Sequence, residues 1–360
     1  MRMIQFSCVV LCFLPILSWA DNCSTLADLL LPAGYDKQDN GNIKQLDFNF
    51  KLREIIEVDQ NTESMKISLY FEVGWKEDRM ETKYWQTSNQ TKLSIVPECL
   101  RDLFWIPPLV IYSLDKYEAG QVIKRMSSAS VDSRKRIYLE ERVVVTLFCQ
   151  MEFTRYPFDA QRCEFVVGPY DNNIDSISCN TKDVYTWSMK IYNVAKQATT
   201  NFQLKISQIK PWDEMRSNET YQICGFAVHA SRPIGKMLVQ NFLPCTFFVF
   251  LTWISYGLQN SMPARMGLLV TSLLMQVNLY NVQKYLEPES TVTTALDLYM
   301  FGCMIITVFP TVEFGVMICL EAFMDFDPEK KKKIDKICLM LSPSLFLLFL
   351  LSFIIYVIVF

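Results

Sequence analysis

The chain has 360 residues, 51% of them hydrophobic, and a formal net charge of −3 at pH 7. Its one histidine, His229, excludes a histidine-rich metal site, and the lack of a Gly-rich phosphate loop, a nucleophile elbow and a Cys-x-x-Cys pair argues against an enzyme or a bound cofactor. No basic tract with interleaved aromatic residues indicates nucleic-acid binding.

The amino-terminal residues have the pattern of a secretory signal. Arg2 precedes an apolar run from Met3 to Leu17, and Ser18-Trp19-Ala20 supplies small residues at a cleavage site. We therefore expect residues 1–20 to be a signal peptide and residues 21–233 to form an extracellular domain in which disulfides are permitted.

The extracellular segment has the cysteines and glycan acceptors of a secreted domain. Its cysteines are Cys23, Cys99, Cys149, Cys163, Cys179 and Cys224. The order of these residues alone leaves their pairing open. Three Asn-x-Ser/Thr triplets place glycan acceptors at Asn22, Asn89 and Asn218.

Alternating apolar residues predict that this domain is built from strands. From Lys66 to Val73, apolar side chains at every second position form one face, whereas Tyr70 falls on the other, polar face. We predict further strands at 143–148, 164–167, 202–209 and 221–228, turns at 34–42, 168–173 and 213–219, and a helix at 24–31. Many short strands joined by turns favour an all-β sandwich.

An immunoglobulin-like adhesion domain is the competing interpretation of these strands. The bridging cysteines of such a domain lie far apart in sequence because they join two sheets. Cys149 and Cys163 instead enclose only a short local loop.

From Ile234 onward the chain becomes strongly apolar. Four segments are each long enough to cross a bilayer about 30 Å thick, and they are 236–257, 265–286, 295–322 and 337–360. The short linker 323–336 contains Lys330 to Lys333 and Lys336, which favours a cytoplasmic position. We therefore expect residues 234–360 to form a four-helix transmembrane domain, with both termini of the chain extracellular.

Three motifs carry a resemblance to a known family. Cys149 and Cys163 flank Tyr156-Pro157-Phe158-Asp159, Trp75 begins Trp-Lys-Glu-Asp-Arg-Met, and Trp105 begins Trp-Ile-Pro. The chain thus resembles the pentameric Cys-loop ligand-gated ion channels, and most closely their anion-selective branch. The resemblance implies a Cys149–Cys163 disulfide, an extracellular β-sandwich, a four-helix membrane bundle and five subunits around a central pore. It leaves the pairs Cys179–Cys224 and Cys23–Cys99 open.

The same resemblance predicts an aromatic ligand site. It places Tyr112, Tyr170 and Tyr221 on one face of a subunit and Tyr70 on the facing side of its neighbour. Aromatic faces attract ammonium groups. The alternative is that these rings simply fill the core, although Tyr70 lies on the polar face of its strand and a buried hydroxyl needs a partner. The ligand remains open among amines, amino acids and other small molecules.

The second membrane segment is predicted to line the pore. Small and polar residues recur on one helical face together with Leu274, and this stripe is Gly267, Thr271, Leu274, Asn278, Asn281 and Tyr285. Five copies would surround water, and a ring of Leu274 would be the hydrophobic gate. A helix-packing face is the alternative, and Ser272 and Gln276, which lie off the stripe, favour it.

The inner end of this segment suggests the sign of the permeant ion. Pro263-Ala264-Arg265 resembles the Pro-Ala-Arg motif of glycine-, GABA- and histamine-gated chloride channels. Lys284 adds positive charge near the outer mouth, and Glu287 and Glu289 oppose it. Rings of basic charge favour anions, so we predict chloride conduction, with a cation-selective channel as the alternative.

Elements that would couple ligand binding to opening are also recognisable from the resemblance. The residues are Asp59, Pro157, Phe158, Asp159, Arg232 and Pro288. Arg232 is expected to pair with an acid such as Asp59 or Glu57. The full prediction is a multi-pass plasma-membrane channel, a homopentamer in the lipid bilayer that a small-molecule agonist opens to chloride. A silent subunit that needs a partner remains the other alternative.

Overall fold

The structure is a computed structural model. It describes residues 19–39, 41–43, 45–81, 85, 91–120, 125–171, 177–186, 202–216, 218–258, 261–288, 292–324 and 328–359. The predicted signal peptide up to Ser18, together with Asn89 and Glu289, lies outside these residues.

The extracellular half is a sandwich of two sheets. Its strands are β1 (Gln45–Asp59), β2 (Ser64–Lys76), β3 (Lys92–Ile95), β4 (Leu109–Ile111), β5 (Leu114–Ala119), β6 (Ser127–Asp132), β7 (Arg136–Phe148), β8 (Ala160–Pro169), β9 (Ser178–Thr186), β10 (Gln203–Arg216) and β11 (Glu219–Ser231). One sheet has the order β3-β6-β7-β2-β1-β9, with β5 pairing to β7, and the other has the order β10-β11-β8-β4. Two helices, α1 (Trp19–Leu30) and α2 (Pro97–Leu103), accompany them.

The two sheets meet in an aromatic core. The alternating pattern of β1 turns Phe50 inward, where its ring lies 5.4 Å from Phe165 of β8 and 5.4 Å from Phe226 of β11. Phe165 and Phe226 stack at 5.3 Å, and all three side chains are fully buried. Phenylalanine rings of this size supply much of the apolar area that a sandwich buries. The core therefore ties β1 to the sheet that carries three of the predicted ligand-site tyrosines.

Three disulfides are present in the described structure. Cys149 is bonded to Cys163 and closes the loop between β7 and β8. Cys23 is bonded to Cys99 and joins α1 to α2, and Cys179 is bonded to Cys224 and joins β9 to β11. The last bond links the two sheets at the end of the domain where Tyr221 lies.

The predicted turn at 213–219 is much shorter than expected. Strand β10 continues to Arg216 and β11 begins at Glu219, and Arg216 pairs directly with Glu219. The polar residues of this segment suggested a turn, but they belong to the exposed end of the β10–β11 hairpin. Polar side chains are tolerated there because one face of an antiparallel sheet can face water. The extra paired residues carry Arg216 toward the predicted ligand site.

Four helices follow the sandwich. They are α3 (234–258, with a short π-helical stretch), α4 (Met262–Leu286), α5 (Ala295–Met324) and α6 (Pro328–Val359). Helices α3, α5 and α6 are long and apolar enough to cross a membrane. Helix α4 has 25 residues, about 37 Å at the usual rise per residue, but carries more polar side chains.

The linker predicted at 323–336 is mostly helical. Helix α6 begins at Pro328 and therefore includes the lysine run. Lysine and glutamate have high helix propensity. A helix can also continue beyond the bilayer, so the charged first turns of α6 extend into water. Lys331 pairs with Glu321 of α5 at 2.6 Å.

One glycine is required by the packing of the sandwich. A Cβ atom at Gly225 of β11 would overlap the backbone carbonyl oxygen of Phe165 on β8. Because a ladder strand cannot move aside as a side chain does, we expect Gly225→Ala to lower the free energy of unfolding by about 1–3 kcal/mol or more. Gly235→Ala is the matched control, since no described atom lies within 4 Å of its Cβ position. Thermal unfolding of both purified variants tests this, and equal midpoints would contradict it.

Candidate functional site

Three predicted ligand-site tyrosines lie on neighbouring strands of one sheet. Tyr112 follows β4, Tyr170 follows β8 and Tyr221 belongs to β11, and these strands are adjacent. The Tyr112 hydroxyl donates to the Pro169 carbonyl oxygen at 3.2 Å, and the Tyr170 amide donates to the Pro108 carbonyl oxygen at 2.9 Å. The β-ladder therefore sets the positions of these three residues.

An arginine that the sequence analysis did not single out stands between two of these rings. The guanidinium carbon of Arg216 lies 4.2 Å from the centre of the Tyr221 ring and 4.7 Å from the centre of the Tyr112 ring. Its Nη2 also donates a hydrogen bond to the Tyr112 hydroxyl. Two of the aromatic faces expected to receive a ligand are thus already in contact with a cation of the chain. The position of Arg216 could have been predicted from the sequence only by knowing the register of the β10–β11 hairpin, which pairs Arg216 with Glu219.

Both of these tyrosines remain neutral near neutral pH. Burial raises the pKa of the Tyr112 hydroxyl. The pKa of Tyr221 is raised because its hydroxyl donates to the Glu219 carboxylate at 3.0 Å, an interaction that ionisation of the phenol would remove. The rings therefore present the electron-rich faces of neutral phenols to the guanidinium.

Tyr70 lies in the other sheet. It stands on β2 opposite Arg142 of β7 and Lys51 of β1, and its side chain is half-buried. A single subunit thus carries the two halves of the predicted site on different sheets. Tyr170 is 62% exposed in the single subunit.

Helix α4 separates its residues cleanly into two faces. The predicted pore stripe is exposed along its whole length in the single subunit, and it consists of Gly267, Thr271, Leu274, Asn278, Asn281 and Tyr285. The opposite face is buried and includes Leu269, Ser272 and Gln276. Gln276 donates to the Cys245 carbonyl oxygen of α3 at 3.4 Å. The off-stripe polar residues therefore belong to the packing face, and the stripe does not.

Arg265 does not present a free charge at the inner end of α4, which corrects the expectation from the Pro-Ala-Arg motif. Its side chain is 2% exposed and donates to Asp335 of α6 at 2.9 Å and to Glu313 of α5 at 2.9 Å. An unpaired guanidinium at membrane depth is costly, so two carboxylates from neighbouring helices hold it inside the subunit. Pro263 and Ala264 remain exposed.

The charge at the outer end of α4 is also balanced within the subunit. Lys284 is 52% exposed and lies 3.0 Å from Asp297 and 3.4 Å from Glu287. Glu287 in turn accepts from the Thr294 hydroxyl at 3.1 Å. Lys284 therefore contributes less positive potential than its charge alone would suggest.

A buried ion pair lies where the sandwich meets the membrane helices. Arg232, directly after β11, donates to Asp159 at 2.7 Å, and both side chains are 3% exposed. Its Nη2 also donates to the Gln60 side-chain oxygen at 3.0 Å, and its guanidinium lies over the Tyr156 ring at 4.4 Å. This corrects the expectation that Asp59 or Glu57 would be the partner.

Asp59 is instead used by its own turn. Its Oδ1 accepts hydrogen bonds from the Asn61 amide at 2.9 Å and the Thr62 amide at 3.4 Å. Hydrogen bonds from Thr62 and Asn61 lower the pKa of Asp59. Its carboxylate therefore stabilises the β1–β2 turn, which brings Gln60 to Arg232.

The disulfide loop docks onto the start of α5. The Thr154 carbonyl oxygen accepts from the Ala295 amide at 2.9 Å, and the Tyr156 carbonyl oxygen accepts from the Leu296 amide at 3.0 Å. The first amides of a helix have no partner within the helix, so these bonds satisfy two of them. Phe158 packs on Phe242 of α3, with ring centres 5.6 Å apart. Pro288, which follows α4, is buried.

The structure thus combines a β-sandwich with a helical bundle through a buried junction. Three helices of the bundle are long and apolar enough to cross a membrane, and the fourth exposes a polar stripe, which is the architecture of a membrane protein with a large domain outside the bilayer. Two protein-family models match the chain, one over the β-sandwich and one over the helical bundle. The family model described as neurotransmitter-gated ion-channel ligand binding domain matches residues 25–233. The family model described as neurotransmitter-gated ion-channel transmembrane region matches residues 242–325. The chain therefore belongs to the neurotransmitter-gated ion-channel family, whose members are Cys-loop channels that assemble as pentamers, and not to a family of enzymes. The predicted resemblance and fold class are confirmed.

Curated relatives are distant. The gamma-aminobutyric acid receptor subunit gamma-3 of Mus musculus, of Rattus norvegicus and of Homo sapiens is each 20% identical to the chain over 256 residues. The match covers 70% of this chain and 52% of each relative. The chain thus spans about half the length of the curated relatives it matches.

Proposed function

We propose that the chain is a subunit of a ligand-gated anion channel of the plasma membrane, with both termini extracellular. Five copies would surround the exposed stripe of α4, and a small ligand would bind between the Tyr112, Tyr170 and Tyr221 face of one subunit and the Tyr70 face of the next. The observation that carries the proposal is the exposure of this stripe. Polar side chains on a membrane helix are costly unless they face water or protein. In the described part of the subunit the stripe stays exposed, and the Thr271 hydroxyl bonds only to carbonyl oxygens of α4 itself.

Two features of α4 support anion selectivity. No Asp or Glu occurs in the sequence of α4, so its exposed stripe carries no carboxylate that would concentrate cations. The helix begins at the inner mouth, where Ser261 makes no side-chain capping bond and Pro263 and Ala264 are exposed. Amides at a helix amino terminus carry partial positive charge, so five such termini would favour anions there. The names of the matched relatives point to the same branch.

The test is ion substitution with the chain expressed alone. The reversal potential is expected to move by about 59 mV for each tenfold change in chloride and to ignore sodium. Ala264→Glu would place a ring of carboxylates at the inner mouth and is expected to shift permeability toward cations. Ala264→Gln, of similar size but neutral, is the control.

The opposite results identify the alternatives. A reversal potential that follows sodium would contradict anion selectivity and indicate a cation channel. Pentameric particles that pass current only after co-expression with a partner would contradict homopentameric function and indicate a silent subunit.

A further inference from the structure

We propose that Glu313 and Asp335 share one bound proton beside Arg265, and that this proton-binding centre lets the pH at the inner face of the membrane control chloride conduction. The inference goes beyond the proposed channel function, and only the consequence for conduction rests on that function. It starts from three side chains that meet where α4, α5 and α6 pack together at the inner end of the bundle.

The centre contains one positive charge and two carboxyl groups. Arg265 of α4 donates through Nη1 to Asp335 of α6 and through Nη2 to Glu313 of α5, each at 2.9 Å. All three side chains are at least nine-tenths buried. If both carboxyl groups were ionised, the centre would carry one excess negative charge away from water. An uncompensated buried charge is strongly unfavourable, and one bound proton removes it.

The other ionisable groups around the centre do not supply the missing positive charge. Tyr256, at the end of α3, and Cys338 of α6 interact electrostatically with Arg265 and with both carboxyl groups. A phenol and a thiol are either neutral or negative. In the part of the chain that the structure describes, neither carboxyl group pairs with a second cation. The four packed helices therefore bring a single positive charge to two acids.

Polar atoms of the centre also lack partners. Among the described residues, Glu313 Oε1, Arg265 Nε and the Tyr256 hydroxyl are buried and make no hydrogen bond. The carboxyl groups of Glu313 and Asp335 are close enough to interact directly. Two carboxylates in such a contact repel each other and cannot both ionise easily, so the pair retains a proton. The shared proton replaces this repulsion by a hydrogen bond.

Burial distinguishes this centre from similar groups of charges elsewhere in the chain. Lys51 and Lys284 each also meet two carboxylates, but both lysines are partly exposed, so water screens the second negative charge there. The rings of Tyr256 and Phe314 instead lie 4.9 Å and 4.6 Å from the guanidinium carbon of Arg265. These rings exclude water, so the proton compensates the charge that solvent cannot.

Loss of the proton would act at the inner mouth of the pore. Arg265 belongs to the first turn of α4, next to the exposed Pro263 and Ala264. Ionisation of the second carboxyl group would add one uncompensated negative charge in each subunit of the pentamer. A ring of negative charge repels anions, so the chloride current should fall as the inner pH rises.

Infrared difference spectra between the purified wild-type chain and its variants test the proton itself. At about pH 7, where free carboxyl groups are ionised, the wild-type chain is expected to show the carbonyl band of a protonated carboxyl group. Glu313→Gln should abolish this band, and so should Asp335→Asn, because either change leaves Arg265 with one carboxylate and no excess negative charge. Glu321→Gln is the matched control and should keep the band, since Glu321 is an exposed glutamate of α5 that pairs with Lys331.

Inside-out patches test the consequence for conduction. Each chain also carries Leu274→Ser, which removes the predicted hydrophobic gate, so that no agonist is needed. Raising the pH at the inner face from about 6 to 9 is expected to lower the chloride current about threefold in the otherwise wild-type chain and in Glu321→Gln, but not in Glu313→Gln.

Three results would overturn the proposal: no carboxyl band in the wild-type chain, persistence of the band in Glu313→Gln or Asp335→Asn, or the same pH response with and without Glu313→Gln. The spectra do not require conduction. The expected band in a chain that passes no chloride at any pH would therefore reject the channel function while supporting the proton site.

Discussion

Asp159→Ala is expected to be among the most damaging substitutions in the chain, lowering stability by about 3–5 kcal/mol because it leaves Arg232 buried without its charge partner. Both side chains are 3% exposed, so water cannot compensate for the loss. Surface labelling of the expressed protein and thermal unfolding of the purified protein measure the effect. We expect little mature protein at the surface.

Two further variants separate the pair from its surroundings. Asp159→Ala combined with Arg232→Met removes both charges, and it should recover part of the lost stability because no uncompensated charge remains. Glu164→Ala breaks the exposed pair with Arg162 on the same strand, for which a cost of about 0–1 kcal/mol is expected. If Asp159→Ala unfolded at the same temperature as Glu164→Ala, the structural importance assigned to the buried pair would be wrong.

The position of this pair connects stability with gating. Strand β11 carries Tyr221 near its start and leads directly into Arg232, about 36 Å further along an extended chain. Arg232 holds Asp159, and the neighbouring Phe158 packs on α3 while the loop backbone caps α5. A shift at the tyrosine site would thus reach two membrane helices through continuous contacts. We expect Asp159→Asn, which keeps the shape but not the charge, to reduce ligand-evoked current more than ligand binding.

Leu274→Ser is expected to raise the fraction of open channels more than tenfold without any ligand. Leu274 is 59% exposed in the single subunit, so a closed ring of five copies would bury area that nothing else covers. Burial of a leucine contributes about 1.5–3 kcal/mol, so even half of that in each of five subunits exceeds the 1.4 kcal/mol that corresponds to a factor of ten. Chloride flux from liposomes that contain the purified variant measures this directly.

Met275→Ser is the matched control for the gate. Met275 is 52% exposed but is rotated about 100° from Leu274 around the helix axis. It should leave the flux at the wild-type level. Equal leak in both variants, or none in Leu274→Ser, would remove Leu274 from the gate. A leaky Leu274→Ser channel would also permit the ion-substitution test before any agonist is known.

Local patterns in the sequence were enough for the architecture and for part of the site. Alternation of period two predicted five of the eleven described strands, namely β2, β7, β8, β10 and β11, and apolar length predicted the membrane helices. Both patterns depend on neighbouring residues. Helical periodicity likewise separated the exposed stripe of α4 from Ser272 and Gln276 on its packed face. The boundaries were less accurate, as α6 shows by including the lysine run.

Only the tertiary structure decided which charges are free and which are paired. Arg232 meets Asp159 across 73 positions, Arg265 meets Asp335 across 70, and Arg216 meets Tyr112 across 104. Each pairing depends on which elements pack together, and a motif carries no information about that. Consequently the sequence by itself determined that the chain is a channel of this family, whereas the fold decided that Arg265 is neutralised inside the subunit and that Arg216 lies between Tyr112 and Tyr221. The physical reason is that the cost of a charge depends on its surroundings, and distant parts of the chain provide those surroundings.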